Sequence, residues 1–83
     1  MRIEVTAQDI ASGARCHCRR CPVALAIQRA TNDPNAFAGF GRIRVHGREL
    51  QQWPEAVANF VGEFDRCLPV QPFAFDLDLE ATA

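Results

Sequence analysis

Apolar and polar residues alternate in three short segments of the chain, and each segment predicts a β-strand with one buried face. The segments cover residues 1–6, 42–46 and 73–80. Their inward positions are all aliphatic or phenylalanine: Ile3, Val5, Ile43, Val45, Phe73, Phe75, Leu77 and Leu79. Because the other face of each strand is polar, the pattern favours an antiparallel or mixed sheet with helices on one face.

Two segments near the N-terminus carry helix signals. Thr6 is a good N-cap for a short helix, Asp9 supplies an acidic partner in its first turn, and Gly13 ends it. Pro22 suits the first turn of a second helix, which the turn-forming residues 31–35 end. The apolar positions of the second helix follow helical spacing, at Val23, Ala26, Ile27 and Ala30.

The C-terminal half adds a hairpin and a strongly amphipathic helix. Residues 36–41 predict a loop. His46 and Gly47 predict a tight turn into a strand around residues 49–51. Pro54 opens a third helix with an apolar stripe at helical spacing. The stripe consists of Val57, Phe60, Val61 and Phe64, and Cys67 continues it.

These elements follow the order β-α-α-β-β-α-β, which predicts an α+β fold. We expect a small antiparallel or mixed sheet of 3–4 strands, with 2–3 helices packed on one face of the sheet. A chain of 83 residues is predicted to form a single domain over residues 1–83. The third helix is expected to lie on the apolar face of the sheet.

Charge is unevenly distributed along the chain. Eight of the nine arginines lie in residues 1–48, whereas seven of the ten acidic residues lie in residues 49–83. Pairing of opposite charges across neighbouring strands is one explanation, and a functional basic or acidic surface is the alternative. The chain contains no lysine and much alanine, which indicates a GC-rich genome.

The sequence gives no signal for membrane insertion or export. The longest apolar run, residues 23–27, is far shorter than the roughly 20 residues of a membrane-spanning helix. The first residues lack the apolar core of a signal peptide. We therefore expect a cytoplasmic protein of a bacterial cell, without a membrane partner and with reduced cysteines.

Three of the four cysteines fall within residues 16–21, which read Cys-His-Cys-Arg-Arg-Cys. Two thiolates separated by two residues are a common half of a zinc site. The candidate metal ligands are Cys16, Cys18, Cys21 and Cys67, with His17 and His46 as further donors. A second closely spaced pair of ligands is missing from the sequence. Because of the paired cysteines, a zinc-stabilised cysteine-cluster module, with zinc as its cofactor, is an alternative hypothesis. Because the second pair is missing, it is not the leading one.

The same cluster allows two other interpretations. Cys21 abuts the start of a helix and has arginines nearby, and both features stabilise a thiolate for redox chemistry. The simpler interpretation is that the cysteines stay reduced and only pack against neighbouring residues. The sequence contains no serine–histidine motif, no H-E-x-x-H and no phosphate loop, so we expect no enzymatic activity.

Arg15, Arg19 and Arg20 are the candidate partner-binding residues. They could contact the phosphates of a nucleic acid, with Arg29 as a further contact. The overall acidic balance and the absence of tyrosine for base stacking disfavour that alternative. A protein partner is therefore expected.

Several stretches match a recognisable pattern. They are Ile-Glu-Val-Thr at 3–6, Asp9-Ile10, Gly13, Cys-Pro-Val-Ala-Leu-Ala at 21–26, Val57 with Phe60 and Phe64-Asp65, and Pro72-Phe73 with Phe75. Together they resemble a family of small, mostly uncharacterised accessory proteins from phages and prophages of GC-rich bacteria. Cys16 and Cys67 lie outside the pattern. The resemblance implies a non-enzymatic protein that binds a host or phage factor, in the manner of host-defence inhibitors such as anti-CRISPR proteins.

Overall fold

The computed structural model describes residues 1–79 and confirms the α+β class. Within these residues the elements are β1 (Arg2–Val5), α1 (Ala7–Ser12), α2 (Pro22–Thr31), β2 (Phe37–Gly39), β3 (Arg42–Val45), β4 (Arg48–Gln52), α3 (Glu55–Asp65) and β5 (Phe73–Asp76). The end of the last predicted strand, Glu80, lies outside the described residues. In the described range no helix is long and apolar enough to cross a lipid bilayer.

All the strand pairs within residues 1–79 are antiparallel, and they form two sheets instead of the single sheet expected from the sequence. β1 pairs with β5, so that Ile3 lies opposite Phe75. β2, β3 and β4 form a meander in chain order. The N-terminus extends the first pairing, because the Met1 ammonium donates to the Leu77 carbonyl at 2.8 Å and the Leu77 N–H donates back at 2.7 Å.

Two tight turns shape the meander. His46 and Gly47 have φ of 51° and 77°, as in the predicted two-residue hairpin turn between β3 and β4. Phe40 and Gly41 repeat this geometry with φ of 53° and 77° between β2 and β3. The prediction of a loop over residues 36–41 is wrong for β2, because a phenylalanine before glycine is a weak turn signal compared with asparagine.

The core joins the two sheets through α2, and α3 packs on β5. Helix α2 contacts both β1 and β2. Helix α3 buries Val57, Phe60 and Val61, and the Phe60 ring lies 4.8 Å from the Phe73 ring. The core predicted from the sequence is therefore largely confirmed. Its buried members include Ile3, Val5, Val23, Ala26, Ile27, Ile43, Val45, Phe75 and Leu77, with Phe64 and Phe73 partly buried against them.

Three residues predicted to face inward are exposed. Ala30 lies in the last turn of α2, and Leu79 follows the end of β5, where the alternation no longer corresponds to a sheet. Cys67 was expected to continue the stripe of α3, but the helix ends at Asp65 and Cys67 adopts a left-handed φ of 64°. Helical spacing specifies a common face only while the helix persists.

The first helix begins as predicted, with a reciprocal capping box. The Asp9 N–H donates to Thr6 Oγ1 at 3.2 Å, and the Thr6 N–H donates to Asp9 Oδ2 at 2.9 Å. Gly13 is the C-cap but has an extended φ of −76° instead of a left-handed one. Glycine is needed there because a Cβ would lie 2.6 Å from Cδ of Pro22. The cap therefore allows α2 to begin close against the end of α1.

Asp9 also forms a bidentate ion pair with Arg29 of α2. The two guanidinium N–H groups donate at 2.7 and 2.9 Å, and Arg29 makes a further bond of 2.9 Å to the Glu4 carbonyl. Burial of Asp9 raises the pKa of its carboxyl, but the hydrogen bonds from Arg29 and Thr6 outweigh burial and hold it below its ordinary value. The Arg29 side chain thus links α2 to α1 and β1 through these hydrogen bonds.

Replacing Asp9 with asparagine is expected to lower the free energy of unfolding by about 1–2 kcal/mol at neutral pH. A lowered pKa in the folded state means that the ionised carboxylate stabilises the protein above its ordinary pKa of 3.8. The contribution is lost as the pH falls through the folded-state pKa. Denaturant unfolding curves should therefore give a lower free energy of unfolding for Asp9→Asn than for wild type at neutral pH, and similar values for the two proteins in acid.

Asp76→Asn is the matched control for this prediction. Asp76 is exposed on β5, opposite Arg2, and its substitution should change stability by less than about 0.5 kcal/mol. A difference between Asp9→Asn and wild type that did not diminish in acid would contradict the assigned role of the Asp9 carboxylate.

Candidate functional site

The cysteine cluster lies on a loop between α1 and α2 that backbone hydrogen bonds hold in place. Within the loop, the Cys21 N–H donates to the His17 carbonyl at 2.9 Å, and the Ala14 N–H donates to the Arg20 carbonyl at 2.8 Å. Outside it, the Ala38 N–H of β2 donates to the Cys18 carbonyl at 2.9 Å. The loop therefore forms an ordered edge beside the three-stranded sheet.

Two side chains reinforce this position. Asp65, the last residue of α3, accepts a hydrogen bond from the Cys16 N–H at 2.9 Å. Gln28 of α2 donates to the carbonyls of Arg19 and Ala36, at 2.8 and 3.0 Å. The loop is thereby attached to α2, which follows it directly, and to β2 and α3, which come later in the chain.

Cys21 serves as the N-cap of α2, and Pro22 occupies the first turn as predicted. The sulfur accepts a hydrogen bond from the Ala24 N–H at 3.4 Å, in the position where serine or aspartate is usual. The side chain is only 3% exposed. Burial is the main influence on the thiol and raises its pKa above the ordinary value, despite the backbone N–H groups at the helix start. The expected stabilisation of a Cys21 thiolate is therefore outweighed by burial.

A groove of about 280 Å³ lies between the cysteine loop, the β2–β3 turn and α3. We call it the cysteine groove. It is lined by Cys16, His17, Cys18, Cys21, Ala38, Gly39, Phe40, Trp53, Val61 and Asp65. Most of these side chains are apolar, and the Asp65 carboxylate is the acidic group among them. The Cys18 sulfur packs so closely on Gly39 that a Cβ at residue 39 would overlap it.

Phe40 stands at the mouth of this groove and is 88% exposed. Its φ of 53° is left-handed, a conformation that is unfavourable for a bulky side chain. The backbone around it is fixed, because the Trp53 N–H donates to the Gly41 carbonyl at 2.8 Å and the indole N–H donates to the Arg42 carbonyl at 3.0 Å. A rigid turn thus presents an aromatic ring to solvent.

The structure brings together three of the four candidate metal ligands. Cys16, Cys18 and Cys21 line the cysteine groove with His17, whereas Cys67 and His46 are not part of its lining. Cys67 is exposed after α3, and His46 is at the β3–β4 turn. Within residues 1–79 no three histidine, cysteine, aspartate or glutamate side chains are arranged to hold a metal ion. The four described cysteines are free thiols.

The three candidate partner-binding arginines are exposed on the cysteine loop. Arg19 lines a second, polar groove, together with Arg44 and His46. Arg15 and Arg20 line neither this groove nor the cysteine groove. Arg29 is taken up by Asp9, so it does not extend the basic surface.

Sequence reasoning found the cysteines but missed Phe40 and Trp53. The sequence signal for Phe40 is weak, since it consists only of a phenylalanine before a glycine at the start of the alternating segment 42–46. The single tryptophan next to Pro54 gives a weaker signal.

No protein-family model matches this chain, and no curated protein or solved structure matches it either. The resemblance to phage accessory proteins stays a prediction.

Proposed function

We propose that this protein is a non-enzymatic binding module that docks a protein partner at the cysteine groove, with Phe40 at the centre of the contact. The observation that carries the proposal is the 88% exposed ring of Phe40, which a fixed turn presents beside an apolar groove. A left-handed phenylalanine disfavours the folded state, and residues held in such conformations cluster at functional sites. A partner that buries the ring would explain why phenylalanine occupies this turn.

The surroundings favour a protein as the partner. Aromatic side chains that pack beside apolar pockets often contribute most of the binding energy of a protein–protein interface. Trp53 and Phe40 provide such side chains on one side of the groove, and the cysteine loop provides the other. We expect the partner to insert an apolar side chain between them.

Charge indicates what surrounds that side chain in the partner. Arg15, Arg19 and Arg20 project from the loop that forms one wall of the groove, and none of them forms an ion pair with a residue in the described part of the chain. Acidic residues that flank the inserted side chain would complement them. A host-defence or other host factor of this character agrees with the resemblance to phage accessory proteins.

Phe40→Asn is expected to separate folding from binding. Asparagine is far better suited to the first position of this turn, so the free energy of unfolding should rise by about 0.5–1 kcal/mol. The affinity for the partner should nevertheless fall at least about tenfold. Truncation of an aromatic anchor typically costs about 2 kcal/mol or more of binding free energy. His46→Asn is the matched control, because it places asparagine at the equivalent position of the β3–β4 turn, outside the lining of the cysteine groove.

The binding measurement uses a photo-crosslinking aromatic residue at position 40 and, in a second protein, at position 63 on the exposed side of α3. Crosslinking in the host cell should give a defined adduct from position 40 and none from position 63. Unlabelled wild type and His46→Asn should compete for that adduct, whereas Phe40→Asn should not. Equal competition by all three proteins, or adducts from position 63 alone, would exclude docking at the cysteine groove.

A further inference from the structure

A second groove, of about 540 Å³, lies on the other side of the cysteine loop. We call it the basic groove. It is lined by Arg19, Asp33, Asn35, Arg44, His46 and Gly47. These residues come from the cysteine loop, from the turn after α2, and from the end of β3 with the turn that follows it, so the fold gathers them from three separate stretches of the chain. Two guanidinium groups and one imidazole line a single concave surface.

The surrounding structure fixes the Arg44 guanidinium and the backbones of Arg19 and His46. The Arg44 guanidinium lies over the Phe37 ring, 5.7 Å from its centroid. The Arg19 backbone is fixed by Gln28, which donates to its carbonyl at 2.8 Å. The His46 N–H donates to Asp33 Oδ2 at 2.7 Å, which fixes the turn that carries the imidazole. Neither arginine side chain forms an ion pair within residues 1–79, so their N–H donors remain available.

Acidic residues near this groove are already engaged. Asp33 is buried, and its carboxylate accepts backbone N–H groups from His46 and from Asn35, at 2.7 and 3.0 Å. The hydrogen bonds from His46 and Asn35 hold the pKa of the Asp33 carboxyl below its ordinary value. Glu49 lies opposite Arg44 in the sheet register but pairs with Arg42 at 2.7 Å. Because two arginines lie in the lining against the single Asp33 carboxylate, the groove has a net positive charge.

We propose that the basic groove binds a phosphate monoester group. Two guanidinium forks provide the planar, paired N–H donors that suit phosphate oxygens. The His46 imidazole lies beside them, with its Nδ1 3.9 Å from the Asp33 carboxylate. The concave surface is bounded by the cysteine loop on one side and the His46–Gly47 turn on the other, which suits one terminal phosphate better than a nucleic-acid backbone. This site lies outside the cysteine groove, and of the three candidate partner-binding arginines it uses Arg19 alone. It does not depend on the proposed protein partner.

Inorganic phosphate is the probe for this proposal, titrated into ¹⁵N-labelled protein, with sodium chloride at equal ionic strength as the reference. We expect saturable amide shifts confined to residues around the groove, in particular Asn35, His46 and Gly47. Arg19→Gln and Arg44→Gln should each weaken phosphate binding about tenfold, as expected for the loss of charge-assisted hydrogen bonds. The same spectra show whether each variant remains folded.

Two further variants make the result specific. Arg66→Gln changes an exposed arginine at the end of α3 and should leave phosphate binding unchanged. Arg44→Lys keeps the charge but loses the planar fork, so it should bind more weakly than wild type and more tightly than Arg44→Gln. Phosphoserine and a nucleoside 5′-monophosphate then distinguish the two sources of a monoester, and tighter binding of either supports the proposal.

Three outcomes would overturn it. The first is an absence of saturable shifts beyond those that chloride produces. The second is an equal loss of binding in Arg66→Gln and Arg19→Gln, which would indicate general charge screening. The third is stronger binding of a single-stranded oligonucleotide that lacks terminal phosphates, which would make the surface a nucleic-acid backbone site instead.

Discussion

Replacing Phe60 with alanine is expected to leave the protein largely unfolded at physiological temperature. Phe60 is 6% exposed, and its ring lies 4.8 Å from Phe73 and 6.1 Å from Phe64, so it connects α3 to β5. Truncating a buried phenylalanine costs roughly 3–5 kcal/mol. A domain of this size has about 5–10 kcal/mol of total stability, so the loss removes a large fraction of it.

Glu63→Ala on the same helix is the control for this prediction. Glu63 is exposed and should change the free energy of unfolding by no more than about 0.5 kcal/mol. Thermal melts followed by far-ultraviolet circular dichroism compare the two variants with wild type. Melting of both variants at the same temperature would show that the buried face of α3 has been assigned wrongly.

The buried face of α3 also shows how far periodicity alone predicts this fold. Val57, Phe60 and Val61 recur at helical spacing, and alternation gives the inward residues of β1, β3 and β5. These patterns are local, since each depends only on the geometry of its own element. The capping box at Thr6 and the turn at His46–Gly47 were predictable for the same reason.

Pairing between distant strands could not be predicted in this way. Alternation shows that Ile3 and Phe75 face the core, but it does not indicate that they lie opposite each other in a separate two-stranded sheet. The ion pair between Asp9 and Arg29 was missed because twenty residues separate its members in the sequence. Such contacts follow from the packing of α1 on α2, which is a property of the whole fold.

In the candidate site, too, local patterns could be predicted from the sequence, whereas contacts between distant segments could not. Residue type and close spacing drew attention to Cys16, Cys18 and Cys21, and they do share one groove. Spacing could not show that Cys21 is buried as a helix cap or that Phe40 faces solvent beside the cysteines. Those features depend on β2 lying against the cysteine loop.

The contact between β2 and the cysteine loop makes Gly39 the second position at which a small change should have a large effect. A Cβ at residue 39 would overlap the Cys18 sulfur and would lie 2.8 Å from Cβ of Cys18. The two segments cannot move apart freely, because the Ala38 N–H is bonded to the Cys18 carbonyl at 2.9 Å. Gly39→Ala is therefore expected to lower the free energy of unfolding by about 3 kcal/mol, at the upper end for overpacking.

Chemical denaturation of Gly39→Ala, Cys18→Ala and the double variant measures this contact directly. Removing the sulfur relieves part of the overlap, so the double variant should be more stable than the sum of the single effects predicts, by about 1 kcal/mol. Gly62→Ala is the matched control, since its Cβ would have only the Arg66 Nη2 atom at 4.0 Å. Alanine within α3 should raise stability by about 0.5–1 kcal/mol. Strictly additive effects at residues 18 and 39 would mean that the cysteine loop does not pack against β2, and the cysteine groove would then lose the wall on which partner docking depends.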